Sequence, residues 1–193
     1  MSDQPVTAAV GQVSADGQFR WDGVQWVPIP RGAREPTPWT RPMQIATAAV
    51  FGLGAIYSVV ISFAYINRDS MLRAMQAQGQ RFPSGTDVDT IVNAAVVFSL
   101  GFLVFISVCE LVIALGSYLG WRWMFWIALV LLALSGLSGL TNLSTFARPE
   151  TSPIPLWAVA ISEVFALASL GLFVWLLIGA IKFRPWAMKK PGV

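Results

Sequence analysis

The sequence predicts an all-α membrane protein, a four-transmembrane-helix bundle with a small β-hairpin-like motif in its N-terminal cytoplasmic tail. The first observation is composition: 55% of the 193 residues are apolar and only 12% are charged, about half the charged share of a soluble domain. The second is that the apolar residues form four long runs, and the third is an aromatic motif that precedes the first run. This composition excludes an ordinary soluble enzyme, and it excludes disorder for most of the chain.

Four segments are long enough to cross a bilayer core of roughly 30 Å, which takes about 20 apolar residues. We predict spans over Gln44–Ile66, Thr90–Ser117, Trp121–Thr145 and Ile154–Ile181. The chain then divides into a tail, residues 1–42, and a transmembrane domain, residues 43–193. Only three residues connect the second and third spans, which predicts that these two spans lie side by side and antiparallel.

Small residues recur at a spacing of four in three places. Gly116 and Gly120 frame the turn after the second span, and two further pairs lie within the third and fourth spans. The further pairs are Ser135 with Gly139, and Ser162 with Ala166. Because small residues let helix backbones approach closely in lipid, we expect these positions at helix–helix contacts.

The basic residues predict the orientation of the spans. If both termini are cytoplasmic, nine of the thirteen lysines and arginines lie on the cytoplasmic side and four on the other. The positive-inside rule therefore favours cytoplasmic N- and C-termini. In a bacterium, the corresponding location is the cytoplasmic (inner) membrane.

The first outer loop carries two local signals. After Asn67, apolar residues recur at helical spacing, so either the first span continues outward or a short helix lies on the membrane. Later in the loop, Thr86 to Asp89 form a capping pattern that opens the second span. Asp87 and Asp89 could also bind calcium, but their spacing matches no known calcium loop, so we prefer the cap.

The tail contains an aromatic motif over residues 16–28, followed by a proline-rich linker that extends to Pro42. Asp22-Gly23 is a strong signal for a two-residue hairpin turn. In that register Trp21 faces Val24, Phe19 faces Trp26, and the four side chains share one face. Such a hairpin is marginal by itself in water. It is therefore either a small ordered knot without a specific ligand or a docking module for a partner surface.

The motif Trp21-Asp22-Gly23-x-x-Trp26-Val27-Pro28 resembles a short element that precedes transmembrane helices in many bacterial, actinobacterial-type membrane proteins of unknown function. The turn Gly120-Trp121-Arg122-Trp123 and the ending Arg184-Pro185-Trp186-Ala187 are similar to features of four-span proteins of this kind. The turn keeps only part of the commoner pattern, in which arginine follows the glycine directly. The resemblance implies a bacterial four-span membrane protein and no known activity.

Two carboxylates lie within spans, Glu110 in the second and Glu163 in the fourth. An ionisable group inside a membrane costs at least about 2.5–3.5 kcal/mol to insert, so both are candidate functional residues. For Glu110 we expect the Trp175 indole or the Arg122 side chain as a partner.

For Glu163 we expect the polar stripe of the third span, in which Ser138 and Asn142 share a face. The two carboxylates are predicted to lie at different depths, so no shared-proton pair is expected. Three roles remain open: polar contacts that hold the bundle together, a proton or ion relay, and an assembly contact with a cation of another subunit.

The residue counts limit the function. The chain has no histidine and one cysteine, so it cannot by itself build a Ser-His-Asp triad, a Cys-His pair or a thiolate zinc site. We expect no enzymatic activity, no cofactor and no nucleic-acid partner; the expected partners are the lipid bilayer and a protein partner or a second copy. Bound pigment or lipid stays open.

The leading hypothesis is an accessory or assembly subunit of a membrane complex. The alternative is a small oligomeric transporter or channel subunit that uses Glu110 or Glu163. A membrane enzyme is a third and weaker hypothesis, because the two separated carboxylates lack a metal or nucleophile beside them.

Overall fold

The computed structural model describes residues 9–30, 34–80, 82 and 87–191, without the side chains of residues 140–144. Within this part, the chain forms five α-helices, two 3-10 turns and four short strands. The helices are α1 (Thr40–Tyr65), α2 (Arg68–Ala77), α3 (Val88–Tyr118), α4 (Arg122–Ala147) and α5 (Leu156–Lys182). The strands are β1 (Phe19–Trp21), β2 (Trp26–Pro28), β3 (Glu35–Pro36) and β4 (Met188–Lys189).

Helices α1, α3, α4 and α5 are long and apolar enough to cross a membrane. Most of their large apolar side chains point away from the bundle, as lipid-facing side chains do. Together with the β1–β2 hairpin, these helices confirm the predicted fold class. The first span starts four residues earlier than predicted, at Thr40, because Pro42 falls in the first turn, where a helix does not need its missing N–H.

The four long helices form two pairs. Helix α1 packs along α3 and α4 packs along α5, whereas α3 makes far fewer contacts with α4, and α1 with α5. The second and third spans, α3 and α4, are in contact and joined by a turn as short as expected, but they contact each other over less of their length than the helices within each pair do. A short turn fixes where two helices meet, but side chains decide which helices stay together along their length.

The α4–α5 interface is built from small residues, as predicted. A Cβ added at Gly139 would lie 2.7 Å from the Cβ of Ala166, and one added at Gly136 would lie 2.9 Å from the Cβ of Leu170. One turn further along, the Ser135 and Ser169 hydroxyls approach to 3.5 Å. These distances leave no room for a larger residue, so the glycines set the separation of the two helices.

The chain termini meet at one end of the bundle, which we call the tail end. Trp186, in the 3-10 turn Pro185–Ala187, is fully buried there, and its indole N–H donates a hydrogen bond of 2.9 Å to the Trp121 carbonyl. Its ring packs edge-on against Phe125 with centroids 5.2 Å apart. The Ala187 carbonyl accepts hydrogen bonds from the Thr37 and Thr40 hydroxyls. The C-terminal segment thus ties α1, α4 and α5 together.

The tails also pair with each other outside the bundle. Strand β3 of the N-terminal tail pairs antiparallel with β4, which follows Ala187. Arg20 of β1 forms an ion pair with Glu35 of β3. The hairpin is therefore connected through β3 and β4 to the tail end of the bundle.

The opposite end carries a separate helix, which resolves the alternatives left open for the first loop. The chain leaves helical geometry at Ile66, and α2 begins after Asn67, whose side chain accepts the Ser70 N–H while the Ser70 hydroxyl accepts the Asn67 N–H. Arg68 forms ion pairs with Asp69 and with Asp89 of α3, and the hydrogen bond that its guanidinium donates to the Asp89 carboxylate is the main reason that the pKa of Arg68 is raised.

Helix α3 is capped by Asp87, whose carboxylate accepts the N–H groups of Asp89 and Thr90. The capping residue is thus one position later than a pattern beginning at Thr86 would place it, and residues 83–86 lie outside the described part. The hydrogen bonds from Thr90, first that of its hydroxyl, lower the pKa of Asp87.

Candidate functional site

A cavity of about 590 Å³ separates the two helix pairs. All four long helices line it, and Glu110 of α3 is the charged residue in its wall. One carboxylate oxygen of Glu110, Oε2, is buried without a hydrogen-bond partner. A buried acceptor without a partner is unfavourable, so this oxygen marks the place where the cavity can gain an interaction.

Hydroxyl groups supply most of the other polar atoms in the wall. The Tyr57 hydroxyl donates to the Ala158 carbonyl at 2.7 Å, the Ser162 hydroxyl donates to the same carbonyl at 3.1 Å, and the Ser138 hydroxyl donates to the Ser135 carbonyl at 2.8 Å. A carbonyl can only accept, so each of these hydroxyls has committed its proton to the protein. Apolar and aromatic side chains fill the rest of the wall, including Phe51, Ile106, Leu131 and Phe165.

Glu163 lies in a different setting. It does not line the cavity; its side chain packs against α4, where Oε2 lies 2.9 Å from the position of a Cβ added at Gly139. Its Oε1 is buried without a hydrogen-bond partner. Glu110 and Glu163 therefore do not form a pair around one site.

The expected partners of the carboxylates are placed as follows. Trp175 packs against the Trp39 ring near the tail end, with centroids 6.5 Å apart, and does not line the cavity. Among the described residues, neither the Trp175 indole nor the Arg122 side chain, the two expected partners of Glu110, bonds to its buried Oε2. Ser138 lies in the cavity wall rather than on Glu163 Oε1, and the side chain of Asn142 lies outside the described part.

The aromatic hairpin forms, but in a different register from the predicted one. Trp21 pairs with Trp26, and Phe19 pairs with Pro28. The turn centres on Gly23 and Val24 instead of Asp22 and Gly23. The reason is the Asp22 carboxylate, which accepts the N–H groups of Val24 and Gln25 at 2.7 Å each and so pulls the turn one residue further along the chain. These two hydrogen bonds, that of Gln25 first, also lower the pKa of Asp22.

The four proposed docking residues keep surface that their own chain does not cover. The Trp21 and Trp26 rings touch with centroids 5.6 Å apart, and Phe19 lies two residues from Trp21 on the same face of β1. Val24 stands at the turn and is 85% exposed, and Trp26 is 41% exposed. Residues 11–14 pair with the other edge of β1, so the hairpin gains a third short segment.

Two residues were missed in the sequence-based site. Tyr57 lies eight residues before the end of α1, roughly 12 Å inside the helix end, and a tyrosine away from the headgroup level is the signal that could have pointed to it. Trp186 lies five residues beyond the last predicted span, where a position at the membrane interface is the usual expectation for a tryptophan. The sequence holds no signal that it turns back into the bundle.

Among the described residues, no group of three or more acidic or cysteine side chains could hold a metal ion. The chain matches no known family model, no curated protein and no solved structure. Its function must therefore be argued from the cavity and the hairpin.

Proposed function

We propose that this protein is a non-enzymatic, multi-pass protein of the bacterial cytoplasmic membrane that serves as an accessory or assembly subunit of a membrane complex. The observation that carries the proposal is the aromatic hairpin, which is folded, connected to the bundle, and still exposes Phe19, Trp26 and Val27. Exposed apolar groups on an element outside the spans are typical of a surface that binds a partner.

The hairpin suits a protein partner because it is already ordered. The Trp21 and Trp26 rings pack against each other, and the ion pair between Arg20 and Glu35 links β1 to β3. Aromatic and arginine side chains contribute most of the binding energy at protein interfaces. Since the hairpin is held in place before binding, it loses less conformational entropy when a partner docks.

The orientation of the spans supports a partner in the cytoplasm. An even number of spans and the pairing of β3 with β4 support a common side for both tails. The larger share of the basic residues is on that side, among them Arg41 and Lys182 beside the first and last spans. The positive-inside rule favours the cytoplasm for this side.

A photo-crosslinking amino acid at position 24 tests the proposal in living cells. We expect one defined protein adduct, either with another membrane protein or with a second copy of the chain. The adduct should be lost in Trp26→Ala and kept in Trp123→Ala, which removes an exposed tryptophan of α4. Adducts with lipid alone, together with a monodisperse monomer in mild detergent, would overturn the proposal.

A second candidate function, a small oligomeric transporter or channel subunit, is favoured by the polar cavity around Glu110. Proteoliposome flux of cations tests it, with Glu110→Gln and Glu163→Gln as variants. Flux that is equal in the original chain and in both variants would remove this candidate. The crosslinking result at position 24 does not depend on the outcome.

A further inference from the structure

We propose that the cavity between the two helix pairs binds a small apolar molecule that carries an ammonium group, with the Glu110 carboxylate as its counter-charge. This site is separate from the hairpin, and binding there requires neither a docked partner nor transport. The proposal stands on the acceptors in the cavity wall, the absence of lysine and arginine from its described part, its apolar remainder and its volume.

Three polar groups of the wall, on Tyr57, Ser162 and Glu110, offer acceptors to a ligand. The Tyr57 and Ser162 hydroxyls donate their protons to the Ala158 carbonyl, so what each can still offer a ligand is an oxygen lone pair. Glu110 adds a carboxylate oxygen, Oε2, that has no partner. A ligand that fits such a wall must bring hydrogen-bond donors, and an ammonium group brings up to three together with a positive charge.

The described wall contains no lysine or arginine. Glu110 therefore has no internal counter-ion, and a carboxylate in a largely apolar surrounding is strongly disfavoured until a cation reaches it. An entering ammonium group supplies that cation. The same lack of basic residues disfavours an anionic ligand, because no side chain of the described wall would compensate its negative charge.

The apolar part of the wall selects the body of the ligand. Phe51, Leu131 and Phe165 surround the polar groups, and the Tyr57 and Phe165 rings stand 5.5 Å apart. Aromatic faces attract cations as well as apolar groups. The volume of about 590 Å³ lies within the roughly 300–1,000 Å³ that is typical of small-molecule sites.

Binding of a fluorescent amine to the full-length protein in phosphatidylcholine nanodiscs tests the proposal. The probe is dansylcadaverine, which has a primary ammonium on an aliphatic chain, and its matched control is the dansyl amide of pentylamine, which lacks the ammonium. We expect the ammonium probe to bind more tightly by about tenfold to a hundredfold, the range that hydrogen bonds to a charged group give.

Two pairs of variants locate the site. Glu110→Gln should remove the preference for the ammonium probe, whereas Glu163→Gln, at the carboxylate outside the cavity, should keep it. Gly54→Leu should weaken both probes, because Gly54 lines the cavity and a Cβ there meets no atom within 4 Å, so the larger side chain can fill the space. Gly101→Leu is the matched control, since Gly101 is an exposed glycine of α3 with equally open space.

Equal binding of the two probes to the original chain would overturn the proposal, even if a variant failed to fold. A preference that survives Glu110→Gln would overturn it as well. The ammonium group could belong to a free amine or to the headgroup of an aminolipid. Nanodiscs with phosphatidylethanolamine separate these sources: competition with the probe identifies the lipid, and unchanged binding identifies a free amine.

Discussion

The α4–α5 interface and the space between the two helix pairs are both lined by small residues, but only the first is closed. At Gly139 an added Cβ would lie 2.7 Å from Ala166, whereas at Gly54 it would meet no atom within 4 Å. The difference lies in what stands opposite. Small residues bring two helices close together only where the facing helix is packed directly against them.

The two regions also differ in their polar groups. Within the α4–α5 pair, Ser135 and Ser169 face each other across the interface. Between the pairs, Glu110 faces open space with an oxygen that lacks a partner. The tail end joins the pairs again, because Trp186 packs among α1, α4 and α5. The bundle is thus closed at one end and open in its centre, which is the arrangement of a binding site rather than of a uniformly packed core.

The largest expected effect on stability comes from removing the Trp186 packing that closes the tail end of the bundle. Trp186→Ala removes a fully buried ring, so we expect it to lower the free energy of unfolding by about 3–5 kcal/mol. Trp186→Phe keeps most of the packing and loses the hydrogen bond to the Trp121 carbonyl, at a cost of about 1 kcal/mol. Thermal unfolding in detergent measures both. Trp126→Ala, at an exposed ring, is the control. An equal loss of unfolding free energy in Trp186→Ala and Trp126→Ala would contradict the view that Trp186 closes the tail end.

Alanine at two glycines compares the closed and open regions directly. Gly139→Ala should destabilise the bundle by about 1–3 kcal/mol, because the new methyl group overlaps Ala166 and the Glu163 carboxylate. Gly54→Ala should instead stabilise it by up to about 1 kcal/mol, because alanine is the better helix former and the space is free. The thermal midpoints of the two variants should move in opposite directions. Shifts of the same sign would mean that the two regions are packed alike.

Relieving backbone strain at the tail end should change the free energy of unfolding by a smaller amount. Arg184 has φ 108° and ψ 178°, a conformation that glycine adopts readily and arginine does not. Arg184→Gly should therefore raise the free energy of unfolding by about 1 kcal/mol. Arg122→Gly, in the first turn of α4, has no such strain to relieve and should lower it. A loss of stability in Arg184→Gly would show that the arginine side chain contributes more to the closure than its backbone costs.

The smallest expected effect is the pH dependence of the hairpin turn. The pKa of Asp22 is lowered from its ordinary value of 3.8 by hydrogen bonds from Gln25 and Val24. Because the folded-state pKa is the lower one, this stabilisation is complete above the ordinary value and is lost as the pH falls through the folded-state pKa. NMR signals of the Val24 and Gln25 amides should shift over that acidic range.

Asp22→Asn is the control for the titration, because it keeps an acceptor oxygen but cannot ionise. Its Val24 and Gln25 signals should stay constant over the same range. The hydrogen-bond and ring partners of Trp186 are the Trp121 carbonyl and the Phe125 ring, which do not ionise. The NMR signals of Trp186 should therefore stay constant over the pH range in which the hairpin signals shift. A simultaneous change at both places would mean that the hairpin and the tail-end closure unfold together.

Much of the fold follows from local patterns in the sequence. The four spans can be predicted because each needs a continuous apolar run and because charged residues, which are costly to place in lipid, flank each run. The contact between Gly139 and Ala166 is also consistent with its spacing pattern. The register of the hairpin was not readable to the same degree, because Asp22 could serve as a turn residue or as a side-chain acceptor, and the two choices differ by one residue in the turn.

The candidate site likewise has one part that the sequence predicts and one part that it does not. Glu110 is conspicuous in the sequence, since a carboxylate within a span is rare. Its surroundings could not be read, because they depend on which helices pack together. The short turn after Tyr118 makes α3 and α4 neighbours but does not reveal that α3 packs most extensively with α1, and Trp175, at a plausible depth for Glu110, packs against Trp39.

The sequence by itself determined the four apolar helices, the aromatic hairpin and the rarity of charge inside the spans, because composition and short-range periodicity decide these properties residue by residue. Only the tertiary structure decided the pairing of α1 with α3 and of α4 with α5, the return of Trp186 into the tail end, and the cavity that leaves Glu110 without a partner. These features depend on contacts between residues far apart in the chain. Such contacts are chosen by the fit of whole helix surfaces, which no local pattern in this sequence specifies.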